Sequence, residues 1–238
     1  MSRRARHAGT SLIELLVALA LGLLLAAGTL RLAAGHIDTQ RRQWLESRLT
    51  QDLRATVELI ARDVRRAGYW GDAGQAVRAA ADRPGQRPAN PYRGVVVTGP
   101  PATPWLGYSY SRDLTEDNLN SNQEKFGLRL NPATQVIEWR LSGSAVAPDE
   151  RDHWQALTDP ALLRVTRLAV RLDEQRQSLL AQCPVPTCGA TTDCPPERLQ
   201  RRVQVDVEAR DAQDARITLR LSVTARLRND EVRGDCPA

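Results

Sequence analysis

From Leu15 to Leu30 the chain carries no charged residue. With Leu12, Ile13 and the flank to Ala34, this stretch supplies the ~20 residues that a helix needs to cross a bilayer. A helix that is apolar all round has few places to go: it is lined by lipid or by other apolar helices. Its one interruption, Glu14, is costly, because an acidic side chain at the centre of a membrane helix is unfavourable by roughly 2.5–3.5 kcal/mol. The carboxylate therefore needs a cationic partner or a place near the interface where water reaches it. Arg3, Arg4 and Arg6 precede the run and the polar bulk of the chain follows it. That asymmetry keeps the N-terminus cytoplasmic and exports the remainder. A secretory signal places its small residues after the apolar run, whereas Gly9, Thr10 and Ser11 come before it. Cleavage there leaves the span attached, so the expectation is a single-pass protein with an exported domain.

A short basic leader ending in Gly9, a small residue, and then "SLIELLVALALG" resemble the N-terminus of type IV prepilins. The resemblance implies that a membrane prepilin peptidase cuts after Gly9 and that the new N-terminal residue, Thr10, is N-methylated. It implies further that Glu14, at the fifth mature position, neutralises the N-terminal amine of a neighbouring subunit as helices pack into a filament. The family most often has Phe or Met where this chain has Thr10. A second block, "LIARDVRRAGYWGD" from Leu59 to Asp72, resembles the end of the long helix in PilW-type minor pilins. Relatives of that type often carry Cys where this chain has Asp72. "VTARLRND", Val223 to Asp230, resembles their last strand.

At 238 residues, 26% of them charged, the chain is too polar to span a membrane many times and long enough for one exported domain with its own core. The net charge of +5 includes the three leader arginines, which leaves a modest basic excess and little call for nucleic acid. All four cysteines, Cys183, Cys188, Cys194 and Cys236, lie beyond the span, where an oxidising compartment lets them pair. A four-thiolate zinc site would show two C-x2-C-like pairs, and the spacing lacks them, so two disulfides and no metal are expected. Four cysteines allow three connectivities. The crowding of the first three into one proline-bearing loop points to Cys236 tying the C-terminal tail back to that loop.

Beyond the span, Leu45, Leu49, Leu53, Val57, Ile60, Val64 and Ala67 recur at helical spacing, with Gly68 as the stop. One long helix fits this, and so does a membrane helix followed by a separate amphipathic one. The Gly-, Pro- and Ala-rich stretch that follows reads as loop. Phe126, Leu128 and Leu130, the turn "NPAT", and Ile137, Trp139 and Leu141 form a hairpin pattern. Leu168, Val170 and Leu172 mark a strand. Val203 to Ala209 and Ile217 to Leu227 alternate apolar and polar, with Arg216, Arg220, Arg226 and Arg228 on the wet face of the second. The expected organisation is a leader at 1–9, a transmembrane half-helix at 10–34 and an amphipathic half at 35–68. A loop-rich connection at 69–125 and a β-rich domain at 126–238 with a cysteine-stapled loop complete it. The fold class is α+β, pilin-like, with the long helix packed on an antiparallel sheet.

Enzyme motifs are missing: there is no G-x-S-x-G, H-E-x-x-H or Walker sequence, and His153 is the one histidine of the exported domain, His36 lying by the span and His7 in the leader. Neither catalysis nor a cofactor is expected. The functional expectation is a minor pilin that helps prime a type IV pilus at the inner membrane of a Gram-negative bacterium. Its expected partners are other minor pilins, the major pilin, and the peptidase and methyltransferase that process it. The alternatives are a J-type pseudopilin of type II secretion and a membrane-tethered periplasmic enzyme or binding protein.

Overall fold

The computed structural model describes residues 11–76, 88–185, 187–188, 194–234 and 236, without the side chains of residues 33 and 34. It is an α+β, pilin-like fold: one N-terminal helix and two antiparallel sheets. The helix α1, Leu12–Val64, is unbroken through Gly28 and Gly35. The chain divides into two compact units at Ser47 and Arg48.

In the first unit, the helical stretch from Leu12 to Leu32 is apolar on every side, and its described side chains are exposed. The mean hydropathy of its most apolar segment is 2.3, ample for a membrane span, and none of that segment is buried within the chain.

In the second unit, the helix presents Leu49, Leu53, Val57, Ile60, Ala61 and Val64 as a buried stripe. Each large apolar side chain so buried contributes about 1.5–3 kcal/mol. After Val64 the backbone tightens, with Arg66 N–H donating to Asp63 O (2.9 Å) and Ala67 N–H to Val64 O (3.0 Å). The helix then stops at Gly68, whose φ of +77° suits a residue without a Cβ.

The first sheet is a five-stranded meander in chain order: β1 Val95–Thr98, β2 Trp105–Ser109, β3 Lys125–Asn131, β4 Val136–Ser142 and β5 His153–Ala156. In the second, β6 Leu163–Ser178 and β7 Glu197–Asp211 pair over nearly their whole length. On the other side of β7, β8 Thr218–Arg226 pairs from Arg202 to Arg210, and β9 Glu231–Arg233 continues past its end at Glu197 to Leu199. Leu168, Val170 and Leu172 stand opposite Val207, Val205 and Val203, in the register that the alternation requires.

Two expectations need correction. The region expected as a loop-rich connection, 69–125, also contains β1 and β2, so the first sheet begins earlier than 126. β2 is buried on both faces and therefore shows no alternation. Gly107 at its centre is covered so closely that a Cβ would collide with the Val146 carbonyl and with Pro148. On β4, Leu141 was expected to share the buried face with Ile137, yet Leu141 is exposed and Arg140 is fully buried. The Arg140 guanidinium donates to the carbonyls of Val146 (3.0 Å) and Ala145 (2.6 Å) and pairs with Asp152 at 2.8 Å. The buried arginine is tolerated because it is paired and hydrogen-bonded.

Candidate functional site: the assembly helix and its anchorage

The cleavage junction expected between Gly9 and Thr10 lies outside the described residues. Immediately beyond it, Ser11 starts the helix: its carbonyl accepts from Leu15 N–H at 3.1 Å and its hydroxyl from Ile13 N–H at 3.3 Å. Glu14 sits in the first turn, where the positive end of the helix dipole favours a carboxylate. Its side chain is exposed, among Leu12, Ile13, Leu15 and Leu16, which are also exposed. Among the described residues, the first unit therefore offers an apolar helical stretch, Leu12–Leu32, capped at its start, with one acid near that end and its described side chains exposed.

The block Leu59–Asp72, in the second unit, is where the fold converges. Asp63 lies on the buried side of the helix and accepts hydrogen bonds from the Tyr108 hydroxyl and, at 2.8 Å, from the Tyr110 hydroxyl. Burial, and then the Asp63 charge, push both phenols well above their ordinary range, so both remain protonated donors. The Arg66 guanidinium lies over the Tyr110 ring, 4.3 Å from its centroid, and Tyr110 stacks on Phe126 at 4.1 Å. One helical carboxylate is thereby bolted to strand β2.

The next residues tie in everything else. Gly68 N–H donates to Ser109 O of the first sheet (2.8 Å), while its own carbonyl accepts from Asn90 (2.8 Å) and from Asn229, just after β8 (2.9 Å). Arg228 N–H donates to Arg65 O at 3.1 Å, so the segments resembling the minor-pilin helix end and last strand are bonded directly. Trp70 is buried and donates from Nε1 to Asn118 at 2.6 Å, and Gly71 N–H donates to Glu116 at 2.8 Å. Asp72 accepts from Gln75 Nε2 at 3.0 Å. At the other end of this helical segment, Arg48 pairs with the buried Asp211 at 2.7 Å. Burial alone would raise the Asp211 carboxyl. Donation from the Gln213 and Asp214 N–H groups and from Arg48 outweighs that and holds it below the usual range.

Cys183 is bonded to Cys236 and Cys188 to Cys194, with Cα–Cα distances of 5.4 and 5.6 Å. The first bridge ties the C-terminal tail to the segment after β6, and the second closes a small loop within it. His153 is exposed on β5. Asp63, Tyr108 and Tyr110 were not singled out from sequence. The available signals were an acid within an apolar helical stripe, three residues after Ile60 and four before Ala67, and two tyrosines at strand spacing.

No curated protein and no solved structure matches the chain. The family model for prepilin peptidase-dependent protein B matches residues 42–227, from the second half of the helix through β8, so that match rests on the sheets and the anchorage block, apart from the leader. An apolar N-terminal helix and this family together fit a membrane-anchored protein. The chain belongs to the prepilin peptidase-dependent protein B family and is a pilin-like protein.

Proposed function

We propose that the protein is a minor pilin, related in role to the PilW type, that helps initiate assembly of a type IV pilus. Supporting this reading above all is an apolar helical segment that is long enough for a membrane span and exposed among the described residues, on a protein of a prepilin peptidase-dependent family. The helix resides in the inner membrane with its N-terminus cytoplasmic and its sheets periplasmic. Prepilin peptidase cuts between Gly9 and Thr10, and Thr10 is N-methylated. The helix then leaves lipid for a bundle of pilin helices, which exchanges apolar lipid contact for packing and leaves Glu14 to decide register.

An ionised Glu14 in that bundle bears the desolvation cost of a carboxylate unless a cation meets it. The N-terminal amine of a subunit already in place supplies one. A subunit at the very apex lacks that neighbour, so retention of Glu14 favours a position near the tip but beneath another minor pilin. The protein's role is packing, with no catalytic step and no cofactor, and the other minor pilins and the major pilin are its partners.

The test is Glu14→Ala in the native host, with crosslinking from positions beside Glu14 and counts of surface pili. The variant inserts into the membrane as before, loses crosslinks to a higher minor pilin, and lowers pilus number. An intact priming complex with Glu14→Ala, or this subunit mapped alone at the apex, contradicts the charge-pairing role.

A further inference from the structure

Where the end of α1 meets the end of β8, the second unit has a concavity of about 450 Å³ lined by Arg62, Arg65, Arg66, Arg226, Leu227 and Arg228. Two elements build its walls. Arg62 and Arg65 or Arg66 share a helical face at i, i+3 and i, i+4. Arg226 and Arg228 flank the buried Leu227 on the facing segment. The bond from Arg228 N–H to Arg65 O, 3.1 Å long, holds the walls together.

Five guanidiniums in one concavity repel one another unless anions separate them. Arg226 has Asp230 at 3.2 Å, and Arg66 has Asp63 at 3.8 Å and the Tyr110 ring. Among the described residues, Arg62, Arg65 and Arg228 have no acidic partner. Neutralisation of the helix C-terminal dipole explains part of this arrangement, but Arg226 and Arg228 come from another element.

The same unit carries the complementary surface. The loop after β2 holds Asp113, Glu116 and Asp117, whose carboxylate oxygens lie within 4.8 Å of one another, and none of the three pairs with a cation among the described residues. Leu114 between them is fully exposed and Leu119 is 66% exposed. Arg112 at its start lies over the Phe126 ring. The loop is held in shape: Glu116 accepts from Gly71 N–H at 2.8 Å and from the Tyr92 hydroxyl at 2.9 Å, and Asp117 from Leu119 N–H at 2.7 Å. A preordered acidic loop with an outward leucine loses little entropy on docking.

From these two surfaces we infer that the arginine groove receives the acidic 113–119 loop of a second copy of this chain. Asp113 and Asp117 meet Arg62, Arg65 and Arg228, and Leu114 lies along the apolar stems of the groove arginines. The two patches are different, so the contact is head-to-tail and can propagate. Nucleic acid fits less well: none of the described residues lining the groove is aromatic, so none can stack on a base. Along β8 the basic row is broken by Asp206, 3.8 Å from Arg220, and by Asp230 beside Arg226.

The experiment uses the full-length protein in excess detergent, mixed from normal and heavy-isotope preparations, with a photocrosslinking residue at Leu114. Mixed-isotope crosslinks between position 114 and peptides containing 62–66 or 226–228 are expected, and their yield falls as salt is raised. Arg65→Glu and Asp113→Arg each lower that yield at least about tenfold, and the two together restore it. Both side chains are exposed, and neither has an opposite charge beside it among the described residues, so neither reversal breaks an ion pair of the fold. Three outcomes overturn the proposal: no mixed-isotope crosslink, crosslinks to another surface, or crosslinks that ignore both reversals. Groove-dependent retention of an oligonucleotide or of anionic vesicles, with no crosslink between copies, overturns it in favour of that ligand. Neither Glu14 nor leader cleavage enters, so the same crosslinks are expected in Glu14→Ala, and failure of the pilus reading leaves this result standing.

Discussion

Replacing Asp63 with alanine tests whether one carboxylate fastens the helix to the first sheet. The carboxylate accepts from Tyr108 and Tyr110, both buried, and is itself buried. A hydrogen bond to a charged group contributes about 1.5–3 kcal/mol, and a buried donor left without a partner costs about 1–3 kcal/mol. Asp63→Ala removes the acceptor from two phenols at once. Arg66, which lies over the Tyr110 ring and carries only donors, cannot accept from the freed phenol, so the loss falls near 3–5 kcal/mol, a large share of the roughly 5–15 kcal/mol a domain possesses.

Tyr108→Phe removes one bond and leaves Asp63 with the other, for about 2 kcal/mol. The decisive comparison is Asp63→Leu with Tyr108→Phe and Tyr110→Phe. Replacing all partners by apolar groups of similar shape recovers most of the stability that Asp63→Ala loses. Urea unfolding of the full-length protein in detergent, followed by tryptophan fluorescence, reads each step. If Asp63→Ala costs less than about 1 kcal/mol, or if its cost adds independently to that of Tyr108→Phe, the shared carboxylate is not the fastener.

Three further expectations concern the second unit. The Asp211 carboxyl is held below its usual range in the folded state, so its contribution is complete above the unfolded value of about 3.9 and disappears as pH falls through the depressed folded value. Urea midpoints measured down to pH 2.5 should therefore drop on the acid side, and Asp211→Asn should flatten that drop while weakening the fold at neutral pH. Removing Arg140 leaves Asp152 buried without its cation, so Arg140→Ala should cost about 3–5 kcal/mol by the same assay, and a loss under 1 kcal/mol contradicts the pairing. Alkylation of the oxidised protein should find no free thiol among the four cysteines. With bridged separations of 53 and 6 residues, chain entropy caps the bridges near about 4 and about 2 kcal/mol, so Cys236→Ser should destabilise more than Cys188→Ser.

Much of this fold is legible because its strongest elements bury a single face. The helix stripe from Leu49 to Val64 and the alternation of Val203 to Ala209 each repeat at the period of their element and lie where periodicity puts them; the hairpin across "NPAT" forms as expected, although β3 is covered on both faces near its start. β2 escaped because both its faces are covered, which erases the alternation. Arg140 escaped because the three groups that make its burial tolerable, Ala145, Val146 and Asp152, come from the loop after its own strand and are invisible in a local pattern. The anchorage was half visible. "GYWGD" resembled a family block, but what Gly68, Trp70 and Gly71 do there depends on Asn90, Ser109, Glu116, Asn118 and Asn229, distant in sequence. The arginines of the wet face read as solvated charges, and only the meeting of helix end and strand end gathers five of them.

The central claim, that this chain is processed and used as a pilin, is tested most directly by intact-mass measurement and N-terminal sequencing of the protein from piliated cells. The expected mature chain begins at N-methylated Thr10, has lost residues 1–9, retains the apolar helix from Leu12, and has all four cysteines oxidised. A chain that still begins at Met1, or one cut beyond Ala34 so that the helix is gone, would contradict the account.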